Sequence, residues 1–258
     1  MSQFRCTRLI LIYLCLVTSA VMALISIEHL NKSFGPSQVI VDLSLEVVEG
    51  ELLTIFGPNG AGKTTLLKIL STLLSSTSGS VVVDGFDVRE SPVEVRRRIG
   101  VISHDTYLYR DLTAVENLVF YARMYDLSNR AERVREVIRL VGLECYKDDR
   151  VATFSRGMKQ RLSIARAILH EPKILLLDEP YTGLDLHASS ILDRIIQEFD
   201  SRGVTRIMVS HDIEHGLRFS DRLLIMKDGG FVHDVRRSEI GSVEEYRAIY
   251  EELVGDRS

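Results

Sequence analysis

Hydrophobic residues alternate with mostly polar ones at Val39, Val41, Leu43, Leu45 and Val47, the period of a strand with one face in a core. Glu51 to Phe56 is a short apolar run that enters a glycine-rich turn. The period then lengthens: Leu66, Ile69, Leu70, Leu73 and Leu74 recur at helical spacing until the segment SSTSG at 75–79 breaks the pattern. Ser80 to Asp84 and Gly85 to Val88 predict a further strand and turn. Thr113 and Glu116 stand at the spacing of a capping box, ahead of an apolar face made by Val115, Leu118, Val119 and Ala122. A second helix carries Val134, Val137, Ile138 and Val141 and stops at Gly142; a third starts near Gly157 and ends before Pro172. Strand signals return at 173–177, 204–209 and 222–226, with a helix around Ile191 to Phe199. Ser242 and Glu245 form another capping-box pattern before an apolar stripe of Val243, Tyr246, Ile249, Tyr250 and Leu253, read as a docked terminal helix.

Strands alternating with helices predict an α/β fold with a mostly parallel sheet, interrupted by a helical insert at about 104–165. One domain is expected over residues 22–258, preceded by an apolar extension over 1–21. In that extension Arg5 and Arg8 precede an unbroken apolar run from Leu9 to Val17. It has the layout of a secretory signal, is slightly short for a membrane span, and precedes a Met22 that would serve equally as a start. Those three readings stay open. A net charge of −4 gives no basic field for nucleic acid, and none is expected as a partner. Cys6, Cys15 and Cys145 have neither disulfide nor metal-ligand spacing.

The chemistry starts at the turn after Phe56. Gly57, Pro58, Asn59, Gly60, Ala61, Gly62, Lys63, Thr64 and Thr65 fit the P-loop pattern in full, after one predicted strand and before one predicted helix. A polyphosphate needs many N–H donors converging on it, and glycines let the backbone approach without a Cβ in the way. Lys63 would reach the terminal phosphates and the Thr64 hydroxyl would hold Mg²⁺. Much later, Leu175 to Leu177 lead into Asp178 and Glu179. An apolar strand ending in two carboxylates places Asp178 to hold the Mg²⁺ shell, and Glu179 to orient or deprotonate the attacking water. The expected ligands are therefore ATP and Mg²⁺.

Phe154-Ser155-Arg156-Gly157-Met158-Lys159-Gln160-Arg161 resembles the signature of ABC ATPases, with Arg156 and Met158 in place of the usual Gly and Gln. The signature precedes the Asp-Glu strand by the family's spacing; Gly183-Leu184-Asp185 resembles the loop that communicates across the ATPase dimer, and His211 in Val-Ser-His-Asp resembles the switch histidine. On these motifs the chain is identified as an ABC ATPase over residues 25 to about 235. The resemblance implies a P-loop core with an antiparallel β subdomain and an inserted helical subdomain. It also implies a head-to-tail dimer, homomeric or heteromeric, on the cytoplasmic face of a membrane beside a separate permease. By the same resemblance Phe34 stacks on adenine, Ser155, Arg156 and Gly157 face the γ-phosphate held by the other subunit, Asp185 signals across the dimer, and His211 contacts the γ-phosphate. Catalysis falls to Glu179, His211 and Lys63.

His104 stands where the family has a glutamine that touches Mg²⁺ and water. The segment from His104 to Thr113, followed by Glu116 to Tyr125, resembles the ATPases of the haem-exporter-like system in cytochrome c maturation, with Tyr107, Leu108 and Tyr109 as a surface for the permease. Drug and polysaccharide exporters with separate ATPase and permease chains are the wider neighbourhood. An imidazole, unlike an amide, gains charge in the physiological range. His104 either stands in for the amide, accepting or donating one hydrogen bond, or makes coupling sensitive to pH; in the second case His104→Gln should change the pH–rate profile of ATP hydrolysis, and an unchanged profile would refute it.

Overall fold

The computed structural model describes residues 23–184 and 186–255, so the apolar extension and Asp185 lie outside the described residues. Two sheets share the chain. Four antiparallel strands, β1 (Ala23–Phe34), β2 (Ser37–Val48), β4 (Ser78–Val83) and β5 (Phe86–Asp87), form one sheet in the order β2-β1-β4-β5. The other is six-stranded: β3 (Leu52–Phe56), β6 (Ile99–Ile102), β7 (Ile174–Asp178), β8 (Thr205–Val209), β9 (Arg222–Lys227) and β10 (Gly230–Arg236), in the order β10-β9-β3-β8-β7-β6. Only β10 runs antiparallel to its neighbour; the rest are parallel.

The inner strands are near-continuous apolar runs because helices or the other sheet cover both their faces. Alternate residues of β3 go to different cores. Leu52 joins the apolar cluster beneath the helical insert, whereas Leu53 and Ile55 join the cluster beneath the antiparallel sheet. Phe56 packs on the terminal helix, with its ring 5.5 Å from that of Tyr246.

The helices are α1 (Lys63–Leu70), α2 (Pro92–Arg98), α3 (Ala114–Met124), α4 (Arg130–Leu140), α5 (Arg156–Ile168), α6 (Leu186–Ser201), α7 (Ile213–Phe219) and α8 (Val243–Val254). The Thr113–Glu116 capping box forms in both directions, with Glu116 N–H donating to Thr113 Oγ1 at 3.1 Å and Thr113 N–H to Glu116 Oε2 at 2.8 Å. Both groups of α3's first turn are thereby satisfied.

Several expectations need correction. In β2 the inward residues are Ile40, Leu43, Leu45 and Val47, while Val41 is exposed. Asp42 has φ of 47°, and this bulged residue shifts the alternation by one place. Helix α1 ends at Leu70, and Thr72 at φ 62° turns Leu73 and Leu74 out of its stripe. At the C-terminus Ser242 caps α8 through Glu245 N–H, yet the Glu245 carboxylate accepts from Gly241 N–H rather than from Ser242, so the reciprocal bond is displaced by one residue. The strand pattern had not singled out β1 or β10, nor the helical pattern α2 and α7.

Between β6 and α3 the chain is held by one buried amide. Asn117 donates through Nδ2 to the carbonyls of Tyr109 and Thr113, each at 2.9 Å, and its Oδ1 accepts from Tyr109 N–H at 2.8 Å. The side chain is fully buried on α3, so it fixes the exposed 105–112 segment to the insert. Asn117→Ala should cost about 1–3 kcal/mol, the range for stranded buried polar groups, in urea-induced unfolding, and should expose 105–112 to limited proteolysis.

Candidate functional site

Parallel strands place the ends of β3, β7 and β8 at one edge of the sheet. The loop after β3 is pressed against its neighbours. A Cβ on Gly57 would lie 2.1 Å from the Met226 carbonyl oxygen, and one on Gly62 would lie 2.8 Å from the Val39 carbonyl oxygen. Both positions require glycine on sterics alone, and Gly62 at φ 107° is also the residue that starts α1. Gly60 has nothing within 4 Å of its Cβ direction, so this stretch of backbone faces open space. Asn59, Gly60 and Thr64 are exposed, whereas Ala61 and Lys63 are buried.

Lys63 Nζ donates to the carbonyls of Gly57 at 2.6 Å and Pro58 at 2.9 Å, which folds the side chain back beneath the loop. Burial lowers its pKa, opposed by the nearby carboxylates of Glu179 and Asp178. Thr64 Oγ1 donates to Asp178 Oδ1 at 3.1 Å, joining the start of α1 to the end of β7. Burial raises the pKa of Asp178, while the Thr64 hydrogen bond and the charges of Lys68 and Lys63 pull it down.

The donor set fits Mg²⁺. A hydroxyl and a carboxylate stand together, and the described residues hold no group of three or more His, Cys, Asp or Glu side chains fit for a metal. Mg²⁺ keeps most of its waters and takes substrate phosphates, so a sparse protein contribution suits it better than an all-protein cage. A cavity of about 280 Å³ opens here, lined by Thr64, Lys68, His104, Asp105, Asp178 and Glu179. His104 thus comes to the edge of the metal position, on the segment that leaves β6.

Glu179 sits at φ 49°, the left-handed region, with Pro180 after it. Its N–H donates to the Val209 carbonyl at 3.0 Å and its carbonyl accepts from Thr182 N–H at 3.1 Å. A non-glycine residue held there stores strain of about 1–3 kcal/mol, and the turn aims the carboxylate at the end of β8. His211 Nδ1 lies 2.7 Å from Glu179 Oε2, so the two side chains bind one another directly through that ring nitrogen.

Ser155 caps α5, its hydroxyl oxygen accepting from Met158 N–H at 3.2 Å, and its O–H remains free to donate. Gly157 follows in the first turn. Arg156 lies flat on the chain after Glu179: a Cβ on Gly183 would be 2.5 Å from Arg156 Cζ. Phe34, 49% exposed, is no core residue; it stands at the end of β1 with Lys32 Nζ 4.8 Å from its ring centre. Thr65 is half-buried in the first turn of α1.

Two features escaped sequence reasoning. Tyr181 donates to Asp193 at 2.7 Å and its ring lies 4.5 Å from that of His215, bracing the turn after Glu179 against α6 and α7. Burial, with the adjacent Asp193 carboxylate, pushes the Tyr181 phenol well up. Asp212 caps α7 through His215 N–H and also lies 2.8 Å from His215 Nδ1. The adjacency of Pro180-Tyr181 and His211-Asp212 to the motif residues was the available signal, but no period or spacing pointed to their partners.

The family model described as ABC transporter matches residues 40–182 of the chain. The chain belongs to the ABC transporter family. Among its curated relatives is the ABC transporter ATP-binding protein NatA of Bacillus subtilis, 38% identical over 81% of this chain and 88% of the relative. The linearmycin resistance ATP-binding protein LnrL of the same organism is 33% identical over 80% and 67%. The spermidine/putrescine import protein PotA of Photobacterium profundum is 36% identical, but this chain covers only 60% of it. A solved ATP-binding subunit of an ABC transporter superposes with a TM-score of 0.82 at 29% identity, over 89% of this chain and 99% of that one. A dimeric ATP-binding cassette in a post-hydrolysis state, bound to ADP and phosphate, gives 0.76 at 26% identity, over 84% and 100%.

This ABC subunit therefore has the α/β P-loop ATPase core with its antiparallel β subdomain and helical insertions, and it is an ATPase whose site takes ATP with Mg²⁺. Such subunits dimerise and pair with membrane permeases. Among the described residues no helix is long and apolar enough to cross a membrane. Gly57→Ala should abolish binding of a fluorescent ATP analogue, because the Met226 carbonyl must move to admit the Cβ, and should lower the unfolding midpoint; Gly60→Ala, with open space at the Cβ but φ of 85°, should lower that midpoint through backbone strain alone, and so by less.

Proposed function

We propose that this chain drives a two-chain ABC exporter from the cytoplasmic face of the membrane, hydrolysing ATP while a separate permease carries the cargo. The observation that carries the reading is the meeting of five side chains at one sheet edge: Lys63 beneath the loop, Thr64 on Asp178, and Glu179 on His211. In this mechanism the loop N–H groups from Gly57 to Thr65 and Lys63 surround the terminal phosphates, and Phe34 stacks on the adenine. Thr64 and Asp178, with His104 at the edge, would hold Mg²⁺, which would neutralise charge developing on the phosphates. Glu179 takes a proton from water as its oxygen bonds to the γ-phosphorus. The bond to the bridging oxygen breaks and ADP keeps the electron pair. His211 steadies the γ-phosphate through Nε2. The Ser155 hydroxyl and the Gly157 N–H of one subunit, with the Arg156 backbone between them, close on the nucleotide of the other, and Asp185 carries the signal between them.

The permease contact is assigned to the aromatic face of the insert. Tyr109 and Phe120 meet edge to face at 4.9 Å, and Tyr107, Tyr109, Phe120 and Met124 are all exposed. Exposed aromatic groups in one patch, held in place by Asn117, suit a protein partner.

On cargo, the relatives support the broader exporter class over the haem-linked one. LnrL is named for resistance to linearmycin, and neither it nor NatA is named for haem. The coverage of PotA is low beside that of NatA, which weighs against an importer. Purification of the tagged complex from native membranes tests the assignment: a permease of the resistance type supports it, and companions of cytochrome c assembly would return the haem-linked reading. Glu179→Gln should lower turnover by about 10²–10⁴-fold, the usual worth of a general base, while ATP still binds and the protein elutes as an ATP-dependent dimer in size-exclusion chromatography. Undiminished turnover would remove Glu179 from the role of base.

A further inference from the structure

Behind Glu179 lies a second cavity, of about 270 Å³, whose lining includes His104, Arg156, Lys159, Gln160, Glu179 and Gly183. Glu179 and His104 line both this cavity and the one that contains Thr64 and Asp178, so they form the wall between the two. Its charge is lopsided. Arg156 and Lys159 stand one turn apart on the same face of α5, with Gln160 beside them, and among the described residues Glu179 is the only carboxylate of the lining. Arg156, Lys159 and His104 form no ion pair and no side-chain hydrogen bond among the described residues. Other arginines of α5 donate to nearby backbone: Arg161 to the Val141 and Gly142 carbonyls, and Arg166, through one terminal nitrogen, to that of Val101. Arg156 is held instead by flat contact with the Gly183 backbone, which fixes the guanidinium while leaving its N–H groups uncommitted.

We propose that this cavity takes up the inorganic phosphate released by hydrolysis, as a site separate from the γ-phosphate position. The inference rests on the assignment of Glu179 to the attacking water. Once the bond to ADP is cut and Glu179 has passed its proton on to the phosphate, the phosphate stands between the new terminal phosphate of ADP and the restored Glu179 carboxylate, and like charges repel it from both. The cations on the far side of Glu179 draw it onward, and Gln160 and Thr182 add neutral donors. No Phe, Tyr or Trp lines the cavity, so it offers nothing for a nucleotide base and suits a small oxoanion. Arg156 and Gly183 are exposed, which gives the cavity an outlet to solvent. Phosphate thereby leaves by a side route while ADP is still bound.

The test is titration of the protein with inorganic phosphate, followed by the ³¹P line width, with the P-loop loaded by a non-hydrolysable ATP analogue and Mg²⁺ so that the γ-phosphate position is filled. Saturable broadening is expected in the wild type. It should weaken about tenfold in Arg156→Ala and in Lys159→Ala, the loss of one charge-assisted hydrogen bond, and recover in Arg156→Lys. Binding in Glu179→Gln should be at least as strong as in the wild type. Absence of broadening with the analogue bound, or equal binding by wild type and both alanine variants, overturns the inference and leaves the ATPase reading intact. Failure of the analogue itself to bind would instead count against that reading.

Discussion

Three neighbouring parallel strands, β3, β8 and β7, end at the same edge of one sheet, and everything chemical in this protein depends on that alignment. Because strands in register share their termini, the phosphate loop, the His211 turn and the Asp178-Glu179 pair arrive together without any long side chain having to reach. The burial of those strands on both faces makes the edge rigid. It also makes it dry enough that burial dominates the proton affinity of both Lys63 and Asp178, in opposite senses. Against burial, Glu179 and Asp178 favour the charged form of Lys63, and Thr64, Lys68 and Lys63 that of Asp178, so the loop and the carboxylate strand form one electrostatic unit.

The helical insert has a different relation to the edge. It meets the core through α5, whose first turn reaches the chain after Glu179, and through the segment after β6, which Asn117 pins to α3. Gln160 and Arg166 of α5 also donate to carbonyls at Ser103 and Val101, on or just after β6. These bonds tie α5 to the end of β6, next to His104. In the proposed assembly, a permease on the aromatic face and a phosphate at the sheet edge would bias this one joint.

Most of this was legible in the chain because the chemistry is written in short contiguous motifs. Gly57–Thr65 and Asp178-Glu179 are each a strand end plus a turn, and local sequence dictates both. The core strands could be read from apolar runs, and the capping box at Thr113 from its two residues. Legibility failed where conformation depends on a remote partner. The bulge at Asp42 is stabilised by the side chain of Asn31 on the next strand, which accepts from Asp42 N–H, so no inspection of β2 alone locates it. The displaced bond of Glu245 turns on a backbone choice at Gly241. The contact of Arg156 with Gly183 joins residues far apart in the chain, and the identity of Arg156 marked a departure from the signature without showing what it touches.

The left-handed conformation of Glu179 has an evolutionary consequence. The turn is strained for any residue with a Cβ, so glycine at this position would relax the backbone while deleting the carboxylate to which the proposed mechanism gives the water's proton. Under that role, selection for stability and selection for turnover pull in opposite directions at a single residue.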